Sequence, residues 1–462
     1  MTSIHWFRRD LRVSGNPGLH AAAADEHVVP VYIVSDWQHA HDWTGAPRQE
    51  FLCGCLESLS QNIEHLGGRL IFRKGDAVGE LRKLIRETGA TSLHFARDYD
   101  PFGRAMEQRV EEMARAEGVA VFSHKDRVLH EANDVQTGSG TMFKVFSPYA
   151  RAWLKLPKST RTVAIKKISV PASITSQPLP GLATWGLTQT ASRLPEAGER
   201  AARARLTRFL AGPVFRYGQH RNLPAGNHTS QLSIDLRHGT LSLRHIYNEC
   251  LRALENADAA GRRSAQTFLN ELIWREFYQA VLWHWPEVLE HEWNPRWRGL
   301  RWDHDEKIFQ RWCNGETGFP IVDAAMRQLN TTGWMHNRLR MITAMFLTKD
   351  LHIDWRMGER YFMQRLVDGE IAANNGGWQW SAGTGADAAP YFRIQNPWSQ
   401  TKSYDPEGEF IKEWLPELRD VPAVKLLAPP AGMRLAPGYP LPMVDHKTER
   451  EACLQRFAEV EK

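Results

Sequence analysis

The sequence predicts an α/β domain built on a doubly wound parallel sheet, followed by an all-α domain. Three observations carry that reading. Short β-rich runs alternate with helical stretches over the first 130 residues, no strand alternation survives beyond residue 195, and 13 of the 18 tryptophans fall from Trp274 onward. Strand-helix repetition with near-continuous apolar strands implies a parallel sheet covered on both faces. A chain of 462 residues is too long for one core, so more than one domain is expected.

The strands are expected at SIHWF (3–7), VVPVYIV (28–34), RLIFRKG (69–75), TSLHFAR (91–97) and VAVFS (119–123). Between them, residues 47–68, 77–90 and 102–118 have helical spacing, and glycine punctuates the ends of the stretches. Residues 131–195 lose clear periodicity and read as a long ordered connector between an α/β domain over 1–130 and a helical domain over 196–462. Helices then dominate, with stretches at 199–212, 242–257, 265–285, 320–353 and 354–369. The last 40 or so residues, with PPAGMRLAPGYPLP, read as a surface tail.

Charge and composition narrow the function. The formal net charge is +5 and the apolar fraction 42%, compatible with a polyanion partner and with many enzymes of ordinary balance. Five cysteines show no paired C-x-x-C spacing, which reads as reduced thiols and no metal site. The N-terminus MTSIHWFRRD places charges where a signal peptide is apolar, and no run approaches ~20 apolar residues. A cytoplasmic protein with no membrane span is expected.

Fingerprints of common chemistries are missing. GTGADA (383–388) formally fits G-x-G-x-x-A, but no predicted strand precedes it and no helix follows. No phosphate-binding loop, H-E-x-x-H or nucleophile elbow occurs. Residues 374–397, NNGGWQWSAGTGADAAPYFRIQNP, look too rich in glycine for a helix and too irregular for a strand, yet carry two tryptophans.

Three segments offer polar groups in useful patterns. HTSQLS (228–233) either caps the following helix or cradles a phosphate with its amides and hydroxyls. TGWMHNRLRMITAMF (332–346) reads as a helix with Asn337 and Met341 on one face, solvated or turned towards a nucleobase and its phosphate. ELIWREFY (271–278) sets Glu271, Trp274, Arg275 and Tyr278 on neighbouring turns. Glu271 and Arg275 can form an intrahelical ion pair, or the acid and aromatics can hold a base by its edge and its face.

Taken together, five segments resemble the photolyase/cryptochrome family: FRRDLR (7–12), TGFPIVDAAMRQL (317–329), NRLRMITAMFLTKDLHIDWR (337–356), ERYFMQRLVDGEIAANNGGWQW (359–380) and PYFRIQNP (390–397). The resemblance spans essentially the whole chain and is closest to class I cyclobutane pyrimidine dimer photolyases. It implies an N-terminal α/β domain, a linker and a helical FAD domain. It also implies light-driven repair of UV-damaged DNA, in which reduced FAD passes one electron to a flipped-out dimer. Such a reaction needs no hydrolytic apparatus. Photolyases are among the enzymes that extrude a base from the stack before acting on it.

Residue by residue, the resemblance gives Tyr217, Thr229, Ser230, Gln231, Leu232, Ser233, Arg340, Asp368, Glu370 and Asn374 to FAD. Asn374 would face flavin N5, where a neutral amide accepts a bond without adding negative charge. Glu271, if protonated, would donate to the dimer's carbonyls. Trp274 and Trp380 would wall the lesion pocket, with Arg275, Tyr278, Asn337, Arg338, Met341 and Gln400 towards lesion or strand. Trp378, Trp355 and Trp302 match an electron relay. Asn337 stands where (6-4) photolyases carry His, and Asn374 where plant cryptochromes tend to carry Asp, so cyclobutane dimer repair is favoured over (6-4) repair or photoreception. A dark flavin oxidoreductase, the third reading, would need a donor site for which no fingerprint appears.

Departures from the family pattern are Glu370 for a common Asp, Phe268 for a frequent Trp, and Met345 for a small residue. For a second, light-harvesting chromophore, Leu289 and Glu290 replace the Cys-Lys pair of folate-binding members. RDYDPFGR with Asp36, Arg48 and Asp98 resembles 8-hydroxy-5-deazaflavin binders, with Arg237 in place of their Lys. Folate, FMN or an empty site are the alternatives. Repair of one lesion requires only a monomer.

Overall fold

The computed structural model describes residues 1–35, 41–159, 164–255, 257–428 and 432–460. The chain forms two compact units, each assembled from separate stretches. One holds Met1–Gln189, Pro195–Phe215 and Ser230–Pro286; the other holds Thr190–Leu194, Arg216–Thr229 and Glu287–Lys462. Among the described residues no helix is long and apolar enough to cross a membrane.

The first unit is organised by five strands: β1 (Thr2–Phe7), β2 (His27–Val34), β3 (Ile71–Lys74), β4 (Ser92–Ala96) and β5 (Ala120–His124). All pairs are parallel, in the order β3-β2-β1-β4-β5, with Ile4 opposite both Val29 and Leu93. Parallel neighbours need long crossovers, and three of these carry the helices Ala46–His65, Ala77–Thr88 and Pro101–Ala116. Every predicted strand lies within two residues of its expected bounds. Pro30 is tolerated in β2 because pairing with β3 starts only at Val31. Asp76 caps its helix through Gly79 N at 3.0 Å, and Gly89, at φ 61°, ends it.

The FRRDLR segment after β1 is mainly a structural knot. Arg12 is buried and donates to Gly239 O at 3.0 Å and Asp126 Oδ1 at 2.5 Å. Asp10 accepts from Arg8 N and Asn16 Nδ2, both at 2.9 Å. A carboxylate this well supplied with donors is held below its usual range, although burial pushes it up. The first unit also contains the 26-residue helix Ala259–His284. Its buried Glu276 accepts from Trp153 Nε1 at 2.6 Å and His130 N at 3.3 Å, and also from Leu129 N.

The second unit is helical around a core that includes Trp312, Phe346, Leu347, Trp355 and Trp378. Three expectations are corrected here. Residues 374–382 are helical, within Ile371–Ala382, despite Gly376 and Gly377. Each glycine costs roughly 1 kcal/mol in a helix, and tertiary packing of Asn375, Trp378 and Gln379 outweighs it. The segment 332–346 is broken: Gly333 ends one helix at φ 67°, and the next runs only Asn337–Met345. A π-turn, Phe346–Asp350, then follows, with Leu351 N bonded to Phe346 O at 3.0 Å. The C-terminal stretch is not a surface tail. Helix His446–Val460 buries Cys453 and Phe457 against Trp297 and Leu300, and the Tyr439 hydroxyl donates to Asp323 at 2.6 Å.

Candidate functional site

In the first unit, helix Ala259–His284 presents Glu271, Trp274, Arg275 and Tyr278, all half-buried, at i, i+3, i+4 and i+7. They share one face because the intervening Leu272, Ile273, Glu276 and Phe277 are buried. Trp274 is rigidly backed: the Phe146 ring stacks on it at 3.7 Å and 6°, while Phe277 and Tyr278 lie 5.6 and 5.4 Å away. Arg275 Nη1 donates to Arg127 O at 2.7 Å, which fixes that side chain to the backbone. Glu271 and the backed Trp274 ring therefore lie on one face of this helix, at the spacing read from the sequence.

Ser230, Gln231, Leu232 and Ser233 lead directly into helix Ser233–His238. Gln231 adopts φ 53°, uncommon for a residue with a Cβ, and Leu232 N donates to Ser230 Oγ at 3.3 Å. Phe268, which stands where the family frequently has Trp, packs 4.7 Å from Phe209. Of the residues expected at a second chromophore, Asp36 lies outside the described residues. Arg48 is buried and donates to Trp43 O. Asp98 is buried among arginines, 3.2 Å from Arg9 and paired with Arg127; despite burial these cations hold its carboxyl far below the usual range. Arg237 is half-buried.

The second unit carries a different set. Arg340 Nη2 meets the buried Asp368 carboxylate at 2.8 Å, and Arg340 Nε donates to Met335 O, also at 2.8 Å. Helix Ile371–Ala382 turns Ala373, Asn374 and Gly377 to a half-buried face, and a Cβ built on Gly377 meets nothing within 4 Å. Bare backbone beside an amide side chain makes a flat cradle. Asn374 Nδ2 donates to Glu359 O at 3.0 Å, leaving Oδ1 as the acceptor. Glu370 is buried at the start of this helix, where its carbonyl receives Asn374 N at 2.8 Å.

Glu359, which sequence reasoning missed, orients both asparagines. Its carboxyl accepts from Asn375 Nδ2 at 3.0 Å, and burial pushes it from 4.5 up to about 8. Asn375 Nδ2 is also 3.0 Å from Val288 O. A carboxyl raised on folding stabilises the fold fully below its ordinary value, and that contribution is lost as pH climbs from 4.5 to about 8. Glu359→Gln is therefore expected to gain in melting temperature relative to the parent across that window. Parallel melting curves at every pH would contradict this assignment.

Trp378 is buried and lies T-shaped to Phe362 at 5.0 Å and to Trp312 at 6.1 Å. Its ring passes over Gly358, where any side chain would collide with it. Trp355 is fully buried, and Trp302 is half-buried. Both indoles donate to Glu292 Oε1, at 3.1 and 3.2 Å. Glu292 was not legible either, since it sits in the unremarkable EHEWNP.

Asn337 is exposed at the start of its helix, with Arg338 and Met341 half-buried. Arg338 donates to Asn222 Oδ1 at 2.8 Å and covers the Tyr404 ring at 4.6 Å. His336 caps this helix through Arg338 N at 3.1 Å. Burial and the two nearby arginines lower it to about 4, keeping the ring neutral. Gln400 and Trp380 are half-buried, and Tyr217 is buried. Thr229 is half-buried.

Residues 268–459 match the family model of the FAD binding domain of DNA photolyase, and residues 3–170 match that of DNA photolyase. The chain is 41% identical to the deoxyribodipyrimidine photo-lyase of Escherichia coli, over 99% of this chain and 98% of that protein. It is 39% identical to the Synechococcus protein of the same name, over 97% and 94%. Among solved structures it resembles a class III photolyase from Agrobacterium tumefaciens, with TM-score 0.92 and 37% identity over 100% and 98% of the two chains. A Sulfolobus tokodaii photolyase described with two FAD molecules, and with the implication of a novel light-harvesting cofactor, matches at TM-score 0.87 and 30% identity, covering 99% and 100%.

Proposed function

Because the chain belongs to the DNA photolyase family, we propose that it is a deoxyribodipyrimidine photo-lyase that uses FAD and blue light to split cyclobutane pyrimidine dimers in UV-damaged DNA. The observation that carries this reading is the cradle on helix Ile371–Ala382. A Cβ on Gly377 would meet nothing within 4 Å, the Asn374 acceptor lies on the same half-buried face, and the Arg340–Asp368 pair belongs to the same unit, which supports a flat ring there. FAD, when bound, supplies light absorption and the single electron that cleavage needs.

The chain's own groups do the rest. Arg340 and Asp368 would hold the isoalloxazine, while Tyr217, Thr229 and Ser230 to Ser233 would take the remainder of FAD, with Glu370 beside it. Asn374 Oδ1 would accept a hydrogen bond from flavin N5, with its Nδ2 held by the Glu359 carbonyl. Trp274 and Trp380 stack on the flipped dimer, an interaction worth about 1–3 kcal/mol per base, and Glu271 donates to its carbonyls. Arg275, Tyr278, Asn337, Arg338, Met341 and Gln400 position the lesion and its strand. We assign 1–130 to light harvesting, 131–195 to a linker and 196–462 to FAD and DNA.

Trp378, Trp355 and Trp302 relay an electron inward to restore the reduced cofactor. Trp378→Phe is accordingly expected to slow photoreduction of oxidised holoenzyme by at least about tenfold, the effect of ~1.4 kcal/mol on a barrier. Repair by chemically reduced enzyme should stay unchanged. Photoreduction at the parental rate would remove Trp378 from the relay. For the second chromophore the proposal is 8-hydroxy-5-deazaflavin, held by Asp36, Arg48, Asp98 and Arg237. Extraction and chromatography distinguish it from a second flavin or a folate.

A further inference from the structure

We propose that Glu292 is a shared counter-ion for Trp355 and Trp302, stabilising the positive charge left when either indole loses an electron. The inference rests on the relay reading above and names a residue that reading does not include.

The geometry is specific. Both indole N–H groups point at the same oxygen, Glu292 Oε1, at 3.1 Å from Trp355 and 3.2 Å from Trp302. A charge passing between these rings therefore never leaves its counter-ion. Glu292 is buried, so its field is weakly screened, and hydrogen bonds to a charged group are the stronger kind. Among the described residues the charged group bonded to the carboxylate is Arg356, 3.2 Å from both oxygens, while Arg298 Nε is bonded to the Glu292 carbonyl, at 3.2 Å.

Arg356 also gives the pair a direction. Its guanidinium lies 4.5 Å over the Trp355 ring and opposes positive charge there. Among the described residues no such cation covers Trp302, which is also the more exposed indole. Charge is thus easier to hold at Trp302 than at Trp355, and Glu292 serves both positions.

The step balances without bond changes. One electron moves from Trp355 to oxidised Trp378, and one from Trp302 to Trp355; the initiating oxidant is a light-excited, oxidised isoalloxazine. Each indole keeps its proton. Burial pushes the Glu292 carboxyl up, but Arg356 and the two indole N–H groups outweigh it and leave it below its ordinary value. So weak a base favours an ion pair over proton transfer.

The test is Glu292→Gln, which keeps an acceptor and removes the charge, with Glu292→Asp as the conservative rescue. Flash spectroscopy of oxidised holoenzyme, at matched FAD content, reads the tryptophan radical. The parent should show a protonated radical cation, and Glu292→Gln should shorten its lifetime about tenfold or more, given charged hydrogen bonds of ordinary strength. Glu292→Asp should restore it. Pulse radiolysis of apoprotein with azide radicals reads the same protonation state without cofactor. The apoprotein readout, with Glu292→Asp beside the parent, keeps the idea testable should the Gln variant misfold: the Asp variant should keep the protonated radical cation, and a lifetime as short as expected for Gln would overturn the role. A parental cation lifetime in Glu292→Gln overturns the counter-ion role, provided Trp355→Phe abolishes the long-lived radical. If Trp355→Phe leaves photoreduction intact, the relay itself fails and the counter-ion role falls with it.

Discussion

Glu271→Ala is expected to lower the rate of dimer repair about a hundredfold, the usual effect of removing one donor aimed at developing negative charge, while FAD content stays at the parental level. Glu271 lies on the same helix face as Trp274, which Phe146 holds in place by stacking at 3.7 Å. An acid beside a fixed aromatic plate can donate to a carbonyl only if its own position is equally fixed, and Leu272 and Ile273 bury the helix on either side. Glu271→Gln retains a donor and should recover most of the rate. Single-turnover repair of prereduced enzyme separates these cases from a loss of DNA affinity. A Gln variant as poor as the Ala variant would show that the carboxyl does something other than donate.

The second large effect is structural. Gly358→Val should cost about 3 kcal/mol of unfolding free energy, at the upper end for overpacking a filled core. A Cβ at this position already overlaps the Trp378 ring and lies 2.7 Å from Leu347 Cδ2. Neither ring nor helix can give, because Trp378 is also wedged against Phe362 and Trp312. Denaturant unfolding of the second unit measures the loss, and the same substitution should abolish the flash-induced tryptophan radical by displacing Trp378. Parental stability in Gly358→Val would mean that the two helices are less tightly joined than their geometry indicates.

The sheet was legible because its three inner strands are buried on both faces, although the edge strand Ala120–His124 is not, and because glycine and charge bound the runs. VVPVYIV and TSLHFAR announce themselves without any tertiary information. The helix at Ile371–Ala382 was not, because its two glycines are disfavoured by local propensity and tolerated only through contacts with distant Gly358, Glu359 and Val288. The C-terminal helix was missed for a similar reason: only Cys453 and Phe457 of it are buried, too few to mark an apolar face. Helical spacing correctly grouped Glu271, Trp274, Arg275 and Tyr278. Arg340 and Asp368 are separated by 28 positions and were named only through family resemblance. Glu292 and Glu359 act by touching residues ten or more positions away, and no local pattern encodes that.

The most direct test of dimer repair uses purified, chemically reduced holoenzyme and an oligonucleotide with a single thymine cyclobutane dimer, assayed under blue light and in darkness, beside a (6-4) photoproduct substrate. Restoration of the dimer site in light only, with the (6-4) substrate untouched, is the predicted result. Intact photoreduction of FAD without repair of either lesion would contradict it and make the protein a photoreceptor of the same fold.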